Sequence, residues 1–475
     1  MSTSETITPS SLETLKAMVA GDVFVPGDGS YDKARRAWDL AVDQRPAVVV
    51  YAESAIDVVR AVRFARSQGM RVAPQATGHG TGPLERLDGA MLLKTARMRR
   101  VDIDATTCSA RAEAGAQWED VTVPAGEYGL AALAGTSPNV GVTGYTLGGG
   151  IGWLARRYGL AANSVTAVEL VTPDGRLARA DADHESDLFW AVRGGGGSVG
   201  VVTALEMTLY PVPDLYAGAL FFPVERAAEV LHAWRQWTNV VPDELTSLGR
   251  VLRLPPLDEV PADLRGRAFA LVEAAYLGHA GAGAELLRPL RELGPEIDTF
   301  AVVRPPALAQ LNMDPEQPVP AVGDGAFLTH LPAGAIDTLL ALVGPGVDTP
   351  LQSVEVRHLG GALGRQAPGA GAQPRIDAQY AIFAVGFTPT AELGQAARAS
   401  VRALKNALAP WHAGYDYYNF VETPAEAEVV LPPGSYERLQ KIKAIYDPDQ
   451  TIISAHPVRP PAPGGTGLTG SNVDR

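Results

Sequence analysis

A single cysteine, Cys108, in 475 residues leaves no partner for an intrachain disulfide. No apolar run approaches the roughly 18–20 residues that a membrane-crossing helix needs. A surplus of positive charge is missing too. The formal net charge is −13, which argues against nucleic acid and against anionic lipid surfaces. Met1 to Ser11 is polar, with neither a basic stretch nor an apolar core, so no signal peptide is visible. No histidine pairing has the spacing of a metal site, and His184 and His279 sit in polar, loop-like surroundings. These absences predict a soluble, cytoplasmic protein with no metal, no nucleic-acid partner and no membrane span. Oligomeric state leaves no trace in the pattern. The abundance of Ala, Gly, Pro and Arg points to a GC-rich bacterial genome, and the length predicts two domains.

Glycine is what the chain has in plenty, and two segments concentrate it. The first is Gln75-Ala76-Thr77-Gly78-His79-Gly80-Thr81-Gly82. The second runs from Gly135 to Trp153 and contains Ser137, Val140, Gly141, Gly144, Gly148, Gly149 and Gly150. Such clusters let backbone N–H groups close around an anion such as a pyrophosphate. His79, between two glycines, is open to a bulky ligand. The pair predicts a large phosphorylated cofactor held against an exposed imidazole.

Two commoner glycine motifs fit less well. Gly195-x-Gly197-x-x-Gly200 satisfies the dinucleotide fingerprint literally, but the fingerprint needs a helix to follow. Val201 to Leu209 is β-branched and reads as a strand. Gly150-x-Gly152-x-x-Ala155, with Glu169 downstream, lacks a convincing strand before it. Gly196-x-Ser198-x-Gly200 imitates a nucleophile elbow, which also needs a following helix.

Periodicity predicts a helix over Ser54–Ser67, capped by Ser54 with Asp57 and ended at Gly69. Strands Val48–Tyr51 and Arg71–Pro74 flank it, giving a βαβ unit that leads into the His79 loop. Short strands follow at Met91–Leu93, Val101–Ile103 and Val168–Val171, with a hairpin turn at Asp174-Gly175. Beyond Pro213 the pattern becomes strands at Leu215–Phe222, Phe269–Leu277, Phe327–Leu331, Gln352–Leu359 and Tyr380–Phe387. Helices are expected at Val224–Trp237, Ala284–Leu293 and Ala335–Val343, so this half reads as an antiparallel sheet backed by helices. Pro-rich Arg304–Pro306 and Pro315–Pro320 read as surface loops, and the tail after Pro460 as frayed.

Together the two glycine segments, the block Asp187–Thr203, Tyr417-Tyr418-Asn419-Phe420 and the stretch Arg438–Asp449 resemble the flavoprotein oxidases of the berberine bridge enzyme type, within the vanillyl-alcohol oxidase group. The resemblance implies an α+β fold: a two-lobed FAD-binding domain plus an antiparallel-sheet substrate domain backed by helices. Its divisions would be an N-terminal extension (1–45), the FAD-binding domain (46–213), the substrate domain (214–410), a closing segment (411–460) and a flexible tail (461–475). It implies FAD held covalently through His79. Ser137 stands where many relatives have a cysteine that makes a second bond, so a single attachment is expected, as in the histidine-only branch. Val140 would line the path of O2, and Val202 and Asn419 would join the cofactor contacts. The substrate would be a small alcohol, amine, sugar or phenolic natural product, with O2 as oxidant. A monooxygenase or cyclase of secondary metabolism and a catalytically silent flavin-binding protein are the alternatives. The family's usual base, a tyrosine, is replaced by Phe420. Candidates for its role are Tyr417, Glu355 and Tyr380; alternation places Glu355 with Arg357 on one face of their strand and His358 on the other.

Overall fold

The computed structural model describes residues 7–461 apart from Glu85 and Glu259, so the tail from 462 onward lies outside the described residues. Three larger sheets and a two-stranded pairing of Leu130–Ala131 with Tyr210–Pro211 organise the described residues. The first has four strands in the order Val23–Phe24, Val48–Tyr51, Met91–Lys94, Val72–Gln75, with the last three mutually parallel. Its crossover helix, Ala55–Ser67, starts as the sequence predicts: Ser54 Oγ accepts the Asp57 N–H at 3.4 Å, and Gly69 takes a φ of +65°. The Asp57 carboxylate turns back to accept the N–H groups of Ala20 and Glu53. This binds residues before position 46 to the sheet. Leu15 is fully buried there, so the expected N-terminal extension contributes both a strand and core.

The second sheet is antiparallel, with five strands in the order Val101–Asp104, Ser109–Glu113, Val201–Thr208, Val165–Val171, Leu177–Asp181. Val201–Thr208 is a strand directly after the Gly194–Gly200 loop, which excludes the helix that a dinucleotide fingerprint or a nucleophile elbow requires. Glu169 is engaged in a two-point ion pair with Arg111, at 2.9 Å for each bond.

The third sheet is large and antiparallel. Its central strands are Leu215–Pro223, Ala268–Tyr276, Leu245–Arg253, Ser353–His358, Tyr380–Phe387 and Ala321–Leu328. Strand Leu245–Arg253 and helix Ala391–Leu408 are absent from the sequence expectation. The strand expected at Phe327–Leu331 instead occupies Ala321–Leu328, hidden by its glycines. Val354, Val356, Tyr380, Ile382 and Ala384 point to the helix-backed side, into a core with Leu231, Trp234, Leu339 and Val401. Strict alternation sends Ser353, Glu355, Arg357, Phe383 and Val385 the other way. That opposite face looks onto the glycine segments.

Residues 415–461 return to the first two sheets. Lys443, fully buried on the helix Ser435–Tyr446, donates to Ser198 O at 2.6 Å and to Asp447 Oδ2 at 2.5 Å. Asp447 in turn accepts the N–H groups of Thr451 and Ile452. Truncating either partner would leave a buried charge unpaired, at about 3–5 kcal/mol.

Candidate active site

Between the glycine segments and the open face of the large sheet lies a cavity of about 1340 Å³. Ligand pockets commonly measure about 300–1,000 Å³, so this one has room for a large cofactor and a second molecule. Ala76, Thr77, Gly78, His79, Gly80 and Thr81 line one end, with Ser137, Val140, Gly141, Gly144 and Val202 along the same wall. Gly78 has a φ of +91°, and a Cβ there would come within 2.6 Å of Gln75 Nε2. Gly80 and Gly144 face open space. Gly82, Gly148, Gly149 and Gly150 do not line the cavity. Gly148 instead makes room for the closing segment: a Cβ would meet Asn419 Oδ1 at 1.9 Å.

Gln75, Thr143 and Tyr145 belong to this wall, and both amide atoms of Gln75, Thr143 Oγ1 and the Tyr145 hydroxyl are buried without hydrogen-bond partners. Orphaned polar groups in the residues lining a cavity mark a wall whose side chains can turn to meet a polar cofactor. Together with the glycine backbone, the wall fits a flavin dinucleotide.

His79 is held on two sides. Its Nδ1 lies 2.8 Å from Thr77 Oγ1, and its ring stacks on Trp38 with centroids 4.3 Å apart and planes 16° from parallel. Burial pushes its pKa down to about 3, against the pull of the Asn139 side chain, so the imidazole is neutral at physiological pH. Trp38 comes from the N-terminal residues and escaped the sequence reading; no local motif marks it.

Ser137 donates to the carboxylate of Asp314, and Asn139 Nδ2 reaches the carbonyls of Pro315 and Glu316 at 3.3 Å each. The stretch Pro315–Pro320 is the surface loop that the sequence predicts, exposed over its first four residues, and it also reaches across from the large-sheet half to roof the cavity, with Pro315, Val319 and Pro320 among its lining. Within Arg304–Pro306, also expected as a surface loop, Pro305 is buried in the short helix Pro305–Gln310. Cys108 lies in a turn with its Sγ toward Ala105 O, away from the cavity lining.

Side-chain chemistry is concentrated where the closing segment joins the glycine segment to the open face of the large sheet. Tyr417 Oη accepts the Ile151 N–H at 2.9 Å and Asn419 Nδ2 at 3.0 Å, while Asn419 also donates to Tyr145 O. Burial pushes Tyr417 up to about 12, despite those donors and the nearby Arg357. Phe420 stacks near Phe383, with centroids 4.6 Å apart, and under the Arg357 guanidinium at 4.9 Å. Glu355 is on the cavity-facing side of its strand but sits beneath Arg357, whose Nε it accepts at 2.7 Å, and it does not line the cavity.

Tyr380 is on the wrong face for a catalytic role. Its hydroxyl bonds Thr238 Oγ1 at 2.7 Å inside the helix-backed core, which removes it from the candidates. The same alternation takes His358 to that face, where Arg156 meets its Nε2 at 3.1 Å.

Two carboxyls escaped the sequence reading. Glu422 lines the cavity two residues beyond Phe420; burial, reinforced by Asp39, pushes it up to about 8. Its Oε2 accepts the Gly323 N–H at 2.7 Å. Glu273, fully buried behind the wall, is pushed up to about 7 by burial, with Arg250 opposing the shift. Glu422 was findable as an acidic residue just past the closing motif; Glu273 lies in an otherwise apolar strand and gives no such cue. No cluster of three metal-ligating side chains occurs among the described residues.

Residues 46–181 match the FAD binding domain family. An FAD-linked oxidoreductase of Bacillus subtilis is 30% identical over 311 residues, covering 64% of this chain and 67% of the relative. The structure of 6-hydroxy-D-nicotine oxidase from Arthrobacter nicotinovorans superimposes with a TM-score of 0.79 at 26% identity, covering 91% of this chain and 96% of the other. Berberine bridge enzyme from Eschscholzia californica shares the fold, with a TM-score of 0.80 at 19% identity over 95% and 99% of the two chains.

Proposed function

Because this chain belongs to the FAD-linked oxidoreductases of the berberine bridge enzyme type, we propose that it is an oxidase of a small organic molecule, with FAD joined through His79 alone. The observation that carries the reading is the neutral imidazole of His79, fixed by Thr77 and Trp38 at one end of a cavity too large for a substrate alone. A neutral ring is the nucleophilic form. Ser137 has no thiol for a second link and is committed to Asp314. Residues 46–213 and 411–460 would hold the cofactor, and the large sheet within 214–410 would present the substrate.

When bound, FAD supplies the hydride acceptor at N5 and the route for two electrons to O2, released as H2O2. The protein's own part is positioning and proton handling. With a pKa near 12, Tyr417 keeps its proton near neutral pH; its oxygen already accepts two N–H bonds, so its O–H is left to orient a substrate oxygen or nitrogen. Glu355 is engaged with Arg357 and acts by holding it in place. Glu422 is the better proton acceptor, because it lines the cavity and titrates near the working range. Val140, half-buried on the cofactor wall, leaves space for O2.

The test is the pH profile of flavin reduction under anaerobic conditions. Glu422 accepts protons only when ionised, so the rate should rise with pH through about 8. Glu422→Gln should flatten the profile and slow reduction by roughly 10²-fold. A profile unchanged in that variant would remove Glu422 from the mechanism. Acid precipitation of the unmodified protein tests the attachment separately: the yellow colour should stay with the pellet.

A further inference from the structure

Three arginines line the cavity, and two of them give a terminal nitrogen to the protein. Arg250 gives Nε to Ser353 Oγ at 2.7 Å and Nη1 to Asn312 O at 2.8 Å, with Glu273 at 3.4 Å. Arg253 gives Nη2 to the carbonyls of Val343 and Gly344, while its Nη1 is buried out of reach of the cavity without a partner. Arg357 differs. Glu355 takes its Nε alone, and neither Nη1 nor Nη2 has a hydrogen-bond partner among the described residues.

The side chain of Arg357 is 11% exposed, yet neither terminal nitrogen is sealed off from the cavity. A guanidinium presents its terminal N–H groups as a planar fork, shaped for two parallel bonds to a carboxylate. Leaving those donors unpaired in a largely desolvated place is costly, so the site favours a ligand that fills the fork. Apart from the carboxylate of Asp314, which also acts on Arg357 and is held by Ser137, the walls beside the fork are flat and apolar. Phe420 lies under the guanidinium, Phe383 and Tyr417 pack against Phe420 with centroids 4.6 and 4.8 Å away, and Val385 and Phe387 continue the surface.

We propose that Arg357 is the substrate anchor, and that the substrate is a flat, aromatic or conjugated molecule bearing a carboxylate. This rests on the oxidase reading above and narrows its substrate class. The fork binds the carboxylate, the phenylalanines hold the ring, and Tyr417 meets the oxidisable end. Glu355 is a positioning residue: through Nε it fixes the plane of the fork, and it touches nothing in the cavity itself.

Benzoate, benzamide and benzylammonium make the probes, titrated calorimetrically into the flavin-loaded protein. Benzoate should bind at least about tenfold more tightly than its uncharged isostere benzamide, the margin expected when charge-assisted bonds are lost, and benzylammonium most weakly. Arg357→Lys keeps the charge but loses the fork and should weaken benzoate while leaving benzamide unchanged. Arg357→Gln alone strands Glu355, so Arg357→Gln combined with Glu355→Gln is compared with Glu355→Gln as its own reference. The double variant should lose the preference for benzoate over benzamide. Equal affinity for the two in the unmodified protein, or an undiminished preference in the double variant, overturns the anchor. Acid precipitation and reoxidation by air, measured on the same samples, report on the oxidase reading alone. The two ideas therefore fail separately.

Discussion

The two walls of the cavity are built on opposite plans. The cofactor wall is backbone and small residues, with side chains such as Gln75 and Thr143 left unpartnered. The sheet wall is crowded with charge: Arg250, Glu273, Glu355 and Arg357 sit within one face, nearly all paired. A wall of N–H groups is the same for every member that binds the same cofactor. A wall of ion pairs is specific to one substrate, because each charge needs its own counterpart. On the proposed reading, one side would carry the general chemistry and the other the choice of molecule.

The largest expected effect tests the cofactor wall. His79→Ala should release all of the flavin into the acid supernatant, whereas Cys108→Ala should leave it in the pellet, as peptide mass mapping would show directly. Flavin mass on the Cys108 peptide would contradict single attachment through His79. Next in size, Tyr417→Phe, where the two walls join, should slow flavin reduction by roughly 10²-fold while leaving reoxidation untouched, since the hydroxyl serves only the substrate step. Val140→Leu should do the reverse: stopped-flow mixing with oxygenated buffer should show reoxidation about tenfold slower, one such factor being about 1.4 kcal/mol in the barrier, with reduction unchanged. If either variant changed both half-reactions equally, the division of labour between the walls would be lost.

The smallest effect is on stability. Burial raises Glu273 from its ordinary 4.5 to about 7, so between those values the folded state holds a proton that the unfolded state has released. Stability therefore falls as pH rises through that window and levels off above it. Glu273→Gln removes this dependence. Its melting temperature should match the unmodified protein near pH 4 and exceed it near pH 8, by an amount on the order of 3 kcal/mol in unfolding free energy. Parallel pH curves for the two proteins would mean that Arg250 keeps Glu273 ionised throughout.

How much of this was legible beforehand follows the same division. The glycine segments, His79 and the Tyr417–Phe420 motif stand out because backbone conformation and close approach restrict residue choice locally. The alternation of Ser353–His358 assigned Glu355 and Arg357 to one face correctly, since period two is a local property. It could not say which face looked at the cavity; that depends on helices far along the chain, and so Tyr380 was misplaced. Strand Ala321–Leu328 was shifted because Gly323 and Gly325 weaken its pattern. Those glycines answer to tertiary contacts: a Cβ on Gly325 would meet Phe420 at 2.7 Å, and one on Gly323 would meet Glu422 Oε2 at 2.8 Å. Trp38 and the roofing role of Pro315–Pro320 arise from contacts across more than 40 and more than 170 residues, which no window on the sequence contains.

The stacking of Trp38 on His79 also bears on what counts as one unit of this protein. The segment that matches the cofactor-binding family begins at residue 46. A chain cut there would keep every glycine of the cradle and the histidine itself, yet lose the ring that stacks on it, the Asp39 carboxylate beside Glu422 and the core residue Leu15. The piece that is recognisable by descent is thus smaller than the piece that can do the chemistry. A tag, fusion or truncation placed at the familiar boundary would act on His79 from a distance of one aromatic ring.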